Sequence, residues 1–235
     1  MPTKIDQHEL VTTFLCAGGG HRVAEVLPAD YVDKRADVVF GTDNVIAEVK
    51  SLTSDRSRDP QVATKLGSVM ERNVHRGAPI VFGTMTVRAH DLPKPVAEQA
   101  LRVVGSRVRK EVSSAKEQLA ATKAALGMPD AYCLLVFVTP PEQIGVETIA
   151  WLIGDAVKHS DNPTGIDGAL VIETPLGLPA GSSQRKDSFL GLFSISGRPL
   201  SPAFIERIGK AWGTVTSQVS RIADLEDFVR LGASE

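Results

Sequence analysis

The stretch DVVFGTDNVIAEVKSL, Asp37–Leu52, predicts two short strands joined by a turn. The first strand is formed by the β-favouring Val38–Phe40, and the second begins with Val45–Ala47. Between them, Gly41–Asn44 has the composition of a tight turn. We therefore expect an antiparallel hairpin here.

Three charged side chains interrupt this apolar hairpin. Asp37 opens the first strand, while Glu48 and Lys50 lie two apart on the second and so point to the same face. Carboxylates on neighbouring strands can share Mg²⁺, which prefers oxygen ligands, and the Val49 carbonyl could add a third ligand. Lys50 would then lie beside a water on the ion, where it could orient or help deprotonate it. This combination suits attack on a phosphodiester.

The pattern Asp37, ten residues, then Glu48-Val49-Lys50 resembles the signature of the PD-(D/E)xK nuclease superfamily. The resemblance covers mainly the hairpin, with looser support to about residue 138. The family's proline before the aspartate is replaced here by Ala36. The resemblance implies a restriction-endonuclease-like fold, in which the aspartate and the glutamate bind Mg²⁺ or Mn²⁺ and the lysine assists the nucleophile. It also implies DNA as the partner.

Members of this family often carry two further polar residues near the metal. For each of them, this sequence offers two candidate positions. An acid on the first helix is represented by Glu9 or Glu25, although Glu9 also has the spacing of a capping box with Asp6. A polar residue on the helix after the Glu-x-Lys strand is represented by Gln118 or Lys123. No fixed spacing decides between them.

Composition limits the class of protein. With 43% hydrophobic and 23% charged residues among 235, the chain suits one globular α/β domain. Cys16 and Cys133 form no CxxC pair and the five histidines form no HExxH motif, so disulfide, zinc and histidine metal sites are not expected. The densest apolar run, Cys133–Val138, is too short to cross a bilayer. A cytoplasmic protein without a membrane partner is expected.

Positive charge is concentrated in the middle of the chain. Residues 50–123 contain 14 Lys and Arg against 7 Asp and Glu, whereas the whole chain contains 26 against 28. Arg102, Arg109, Lys116 and Lys123 recur every seven residues and form a basic row, beside the apolar stripe of a long predicted helix. Such a row can attract a polyanion, or it can be an ordinary solvated helix surface. The expected DNA contacts are Arg56, in the loop after the hairpin, with Arg109, Lys116 and Lys123.

The spacing of apolar residues, together with the helix-breaking glycines and prolines, predicts the remaining helices and strands. Helices are expected at Ile5–Cys16, Gln61–Val74, Pro95–Leu126 with a bend at Gly105, Glu147–Lys158, Ser201–Ser217 and Ser217–Leu231. Strands are expected at His21–Leu27, Pro79–Val87, Ala131–Val138, Ile166–Glu173 and Ser188–Ser196.

Together these elements predict an α/β fold in a single domain, residues 1–235. Its restriction-endonuclease-like core, a mixed central sheet flanked by helices, would span about 5–138, with a helical insertion at about 53–94. Residues from about 139 to 235 would form a C-terminal α/β extension.

The leading functional hypothesis is a metal-dependent nuclease acting on DNA. A non-catalytic module of the same fold, binding nucleic acid or a protein, is a second hypothesis. A third is an unrelated α/β structural protein whose Glu-x-Lys is accidental. The complete Asp37, Glu48 and Lys50 set favours the first. The choice of DNA over RNA, the polarity of cleavage and the oligomeric state, with a homodimer as one option, stay open at this point.

Overall fold

The computed structural model describes residues 6–52, 59–81, 88–139, 145–159, 165–173, 189–216 and 222–224. Within them, helices flank a mixed sheet whose strands are adjacent in chain order. The strands are β1 His21–Arg22, β2 Val38–Phe40, β3 Val45–Ser51, β4 Tyr132–Thr139, β5 Gly168–Glu173, β6 Phe189–Ser194 and β7 Ile222–Asp224. The helices are α1 Gln7–Ala17, α2 Val23–Val26, α3 Pro60–Arg72, α4 Lys94–Val104, α5 Ser106–Leu126, α6 Val146–Lys158 and α7 Pro202–Thr216.

The predicted hairpin is present as β2 and β3. The two strands pair antiparallel, with Val38 opposite Ala47 and Phe40 opposite Val45. Asn44 closes the turn in the left-handed region, at φ 53°, a conformation that asparagine tolerates better than most residues. On its other side β2 pairs antiparallel with the two-residue β1.

The centre of the sheet is parallel and fully covered. β4 pairs parallel with β3 on one side and with β5 on the other, and each of its eight residues is buried. A continuous apolar strand such as Tyr132–Thr139 is typical of a sheet covered by helices on both faces. β6 then pairs antiparallel with β5, and β7 pairs parallel with β6, so the sheet is mixed.

Each face of the sheet has its own hydrophobic core. On one face, α5 and α6 pack against Ile46, Leu135 and Val171. On the opposite face, α1 and α7 pack against alternate residues of the same strands. There Phe14 of α1 meets Trp212 of α7 edge-to-face at 5.1 Å, a geometry that adds about 0.5–1.5 kcal/mol to the burial of the two rings.

The long predicted helix over 95–126 is divided at Gly105, where the sequence indicated a bend. A Cβ added at Gly105 would lie 2.3 Å from Leu152 of α6, so the absence of a side chain lets the helices approach closely. Before this point α4 packs with α3 around a small separate cluster that includes Val69, Met70 and Val96. Of this pair, α3 lies within the helical insertion predicted at about 53–94, whereas α4 belongs to the long helix predicted from Pro95.

Two predictions for local structure are wrong, and a third falls largely on residues that the structure does not describe. The strand predicted at His21–Leu27 ends after Arg22, because Val23 and Leu27, four apart, are both buried by the short helix α2. Within the helix predicted at Ser217–Leu231, residues 222–224 instead pair with β6 as a strand. Of the strand predicted at Pro79–Val87, residues 82–87 lie outside the described residues, and 79–81 form no strand.

The coarse fold prediction is confirmed: the chain is α/β, with a mixed sheet flanked by helices. In the part of the chain that the structure describes, none of the helices has both the length and the apolarity needed to cross a membrane.

Candidate active site

The hairpin brings Asp37 and Glu48 together. Val38 pairs with Ala47, so the same antiparallel register continued by one residue places Asp37 opposite Glu48. The Asp37 N–H donates to the Ala47 carbonyl at 3.2 Å, which keeps the chain close to β3 at this point. Directly opposite residues in an antiparallel pair share a face, so both carboxyl groups lie on the face of the sheet that α5 covers.

Both oxygens of the Asp37 carboxylate have protein partners. The Val49 N–H donates to Asp37 Oδ2 at 2.8 Å. His8 Nε2, from the first turn of α1, lies 3.2 Å from Asp37 Oδ1. No sequence pattern indicated this histidine contact, because α1 and the hairpin approach each other only in the folded chain. Two contacts from separate elements therefore fix the orientation of this carboxylate.

Glu48 is the most deeply buried charged residue of the site. Its side chain is 2% exposed, and Lys50 Nζ lies 2.8 Å from Glu48 Oε1. The other oxygen, Oε2, is buried and has no hydrogen-bond partner among the described residues. Buried carboxylate oxygens normally have a partner. In the ionised form of Glu48 this oxygen is available for a ligand, whereas the protonated carboxyl can donate a hydrogen bond to Asp37.

Lys50 is held from both sides. Besides Glu48, its Nζ donates to Gln118 Oε1 of α5 at 2.6 Å. Gln118 in turn donates through Nε2 to the Arg35 carbonyl at 3.0 Å, and Ser114 Oγ donates to Gln118 Oε1 at 3.1 Å. Of the two positions that the sequence left open on this helix, the structure brings Gln118 to the lysine.

Burial and charge separate the pKa values of the two carboxyl groups. Burial, followed by the charge of Asp37 and by a smaller effect of a hydrogen bond between the two carboxyl groups, raises the pKa of Glu48 to about 8 against the opposing effect of Lys50. Burial alone would also raise the pKa of Asp37. The hydrogen bonds from His8 and the Val49 amide, with the charge of His8, nevertheless hold it below its usual value. The hydrogen bond to Asp37 raises the pKa of His8.

The donor groups of this site suit a hard divalent cation. Asp37 and the unpaired Glu48 Oε2 supply carboxylate oxygen. In an extended strand the N–H and C=O of a residue point to the same edge. The Val49 N–H donates to Asp37, so the Val49 carbonyl is also directed to this side. In the described ranges no three His, Cys, Asp or Glu side chains form a group able to hold a metal.

The acids proposed on the first helices lie apart from this arrangement. Glu9 pairs with Arg22 through both carboxylate oxygens, and its side chain is 56% exposed. Its expected capping partner Asp6 does accept from the backbone N–H groups of His8 and Glu9 at the start of α1. Glu25 lies exposed on α2. His8, rather than Glu9, is the α1 residue that reaches Asp37.

The first two members of the basic row face α6. Arg102 and Arg109 both contact the Asp155 carboxylate of α6, which is 5% exposed and has a pKa lowered chiefly by the hydrogen bond from Arg102. Lys116 lies along Gly165, since a Cβ there would be 3.4 Å from Lys116 Cε. Lys123 is in the last turn of α5.

Gln118 lies on the opposite flank of the apolar stripe of α5, beside Lys50. The row and the two carboxylates are therefore not brought together directly. Arg56, the remaining expected DNA contact, lies outside the described residues.

Comparisons with known proteins give no relative from which residue roles could be transferred. No family model matches the chain, and neither a curated protein nor a solved structure matches it.

Proposed function

We propose that this protein is a divalent-metal-dependent nuclease that hydrolyses phosphodiester bonds, with DNA as its substrate. The observation that carries the proposal is the environment of the Glu48 carboxylate. Its Oε2 is buried without a partner among the described residues, opposite Asp37 and beside Lys50. A buried acceptor left unpaired costs about 1–3 kcal/mol, so a site that retains one is suited to an oxygen-binding ligand.

The residues of the site divide the work of hydrolysis. Asp37, Glu48 and the Val49 carbonyl would hold Mg²⁺ or Mn²⁺, and a bound cation would polarise the phosphodiester and favour ionisation of a water. Lys50 has three N–H donors, of which Glu48 and Gln118 engage two, and the third can orient that water or a phosphate oxygen. The contacts to Glu48 and Gln118 hold the ammonium group in place for this role.

We also propose that the described core is restriction-endonuclease-like. The support is the order of its parts: helix α1, antiparallel strands β1 to β3 carrying the acids, helix α5, and β4 parallel to β3. The pair of helices α3 and α4 would be an insertion into this core. The strands and helices after β4 would extend the same sheet.

The experiment is cleavage of single-stranded, duplex and branched DNA, with an RNA strand in parallel, in Mn²⁺ or Mg²⁺. We expect cleavage of DNA that stops on chelation with EDTA and is lost in Asp37→Asn and Glu48→Gln. Glu71→Gln, which changes an exposed glutamate of α3, is the matched control and should remain active.

Cleavage that persists in Glu48→Gln would contradict the assignment of the site. DNA binding without cleavage by the parent protein would favour the non-catalytic module.

A further inference from the structure

The outer side of Asp37 is closed by His8. Its Oδ1 faces His8 Nε2 at 3.2 Å, while Oδ2 accepts the Val49 N–H. A carboxylate that accepts hydrogen bonds at both oxygens is held in one orientation about its last side-chain torsion. The lone pairs that are left for a cation then point in fixed directions. His8 is 43% exposed, so it lies at the solvent side of the site.

The number of cations that such a site can hold depends on these contacts. Two-metal sites place their ions about 3.5–4 Å apart, and a bridging carboxylate gives one oxygen to each ion. A second cation at Asp37 Oδ1 would meet the N–H of His8. A second cation at Glu48 Oε1 would meet the ammonium group of Lys50, which lies 2.8 Å away. Of the four carboxylate oxygens, Glu48 Oε2 is the one that accepts no hydrogen bond from a donor among the described residues.

Among the described residues, further acids for a second cation are not brought to the site. Glu9 of α1 is engaged by Arg22 through both oxygens, and Glu25 is exposed on α2. Over the described parts of the chain, His, Cys, Asp and Glu side chains form no metal-binding group of three or more. The arrangement therefore favours a single ion.

We infer that the site binds one divalent cation per chain and that His8 is a positioning residue, which fixes Asp37 towards that cation and closes the position of a second. This inference rests on the proposed function, because it concerns the cation of the same site. His8 would act in either charge state, provided that Nε2 carries the proton it donates to Asp37.

The positioning role has a measurable consequence. Mg²⁺ requires its oxygen ligands in a nearly octahedral arrangement. Removing a hydrogen-bond partner that orients a ligand typically lowers metal affinity by roughly 10–100-fold. Without His8, Asp37 loses the contact at Oδ1 that orients it from α1, although the Val49 N–H still donates to Oδ2. Glutamine places an amide N–H at a similar distance from the backbone as His8 Nε2, so it can restore the contact.

The test is calorimetric titration of the full chain with Mn²⁺ in the absence of nucleic acid. The variants are His8→Ala, His8→Gln, Glu48→Gln and, as a matched control, His75→Ala, which removes an exposed histidine far along the chain from the hairpin. We expect one Mn²⁺ per chain in the parent and in the control. Affinity should fall roughly 10–100-fold in His8→Ala and recover largely in His8→Gln.

The outcomes separate this inference from the proposed function. Two Mn²⁺ per chain in the parent, or unchanged affinity in His8→Ala, would overturn the inference and leave the nuclease proposal standing. Absence of any Mn²⁺ binding in the parent, or full binding in Glu48→Gln, would overturn the metal site itself. If His8→Ala does not fold, the number of Mn²⁺ ions bound per chain of the parent and the Mn²⁺ affinity of His8→Gln still test the inference.

Discussion

The buried carboxyl of Glu48 should make the stability of the metal-free protein depend on pH. Burial and the charge of Asp37 raise its pKa from 4.5 to about 8, so this group holds a proton more tightly in the folded chain than in the unfolded chain. Its contribution to stability is therefore complete below its unfolded pKa and is lost as the pH rises through the folded pKa. Divalent metal, which requires the ionised form, should oppose this loss.

Glu48→Gln should remove this pH dependence, because glutamine has nearly the same shape and does not ionise. We expect the parent and the variant to melt similarly at about pH 5, and the variant to be the more stable at about pH 9 in EDTA. Thermal melting across this range measures the difference. The exposed Glu71→Gln should follow the parent at every pH. Parallel curves for the parent and Glu48→Gln would show that the Glu48 carboxyl is not destabilised by burial.

Lys50→Ala should separate catalysis from metal binding. Lys50 contacts Glu48 and Gln118, and we assign it to the water rather than to the cation. Cleavage should fall about 100- to 10,000-fold, the usual range for a group that assists proton transfer. Mn²⁺ affinity should persist or rise slightly, because one positive charge beside the carboxylates is removed. Loss of Mn²⁺ binding as complete as in Glu48→Gln would show that Lys50 is required for the metal site itself.

At the level of elements, predictions succeeded where local sequence determines the structure. The hairpin was predictable because β-forming residues flank a turn that Asn44 can close. The strand predicted at His21–Leu27 failed because Val23 and Leu27 suit a helical turn as well as an extended segment, and tertiary packing decides. Asp37, Glu48 and Lys50 were singled out from the hairpin pattern and the resemblance to the nuclease signature, and the structure brings the three residues together.

Contacts between distant elements could not be read from spacing. His8 was passed over in favour of its neighbour Glu9, because nothing in the sequence tells which α1 residue reaches Asp37. Asp155 was not singled out either, although it holds Arg102 and Arg109 across a helix interface. Both contacts depend on how helices are placed around the sheet.

Gly105→Ala tests the close approach of the α4–α5 junction to α6. The new Cβ would lie 2.3 to 2.9 Å from side-chain atoms of Leu152, which is fully buried and has little room to move. We expect a loss of about 1–3 kcal/mol in the free energy of unfolding, measured by urea denaturation. Gly67→Ala in α3 is the matched control, since its Cβ would meet no atom within 4 Å.

That control should be about 0.5–1 kcal/mol more stable than the parent, because alanine favours a helix. Equal behaviour of the two variants would show that Leu152 can rearrange and that the junction does not need a glycine.

Over the whole molecule, the basic row is divided by what its members contact. Arg109 contacts the buried carboxylate of Asp155, so Arg109→Ala should lower the free energy of unfolding by up to about 1 kcal/mol and leave the salt dependence of DNA binding unchanged. Lys116→Ala combined with Lys123→Ala should flatten the slope of log affinity against log salt by roughly 1–2 units if both reach phosphates.

Salt-titrated binding with a melting curve for each variant measures both effects. A slope that is unchanged in the double lysine variant would remove this flank of α5 from the DNA-binding surface.

The parallel pairing of β3 with β4 has a consequence for the order in which the site is assembled during folding. Val45 pairs with Tyr132, far along the chain, whereas β2 and β3 are joined by a four-residue turn. Local hairpins close within about 1–10 μs, but parallel crossovers are slow. Asp37 and Glu48 should therefore meet first in water, and Glu48 should be ionised there at neutral pH. As β4 and α5 close over the hairpin, burial should favour the uptake of a proton or a cation by Glu48, so this step of folding should be coupled to proton or metal uptake.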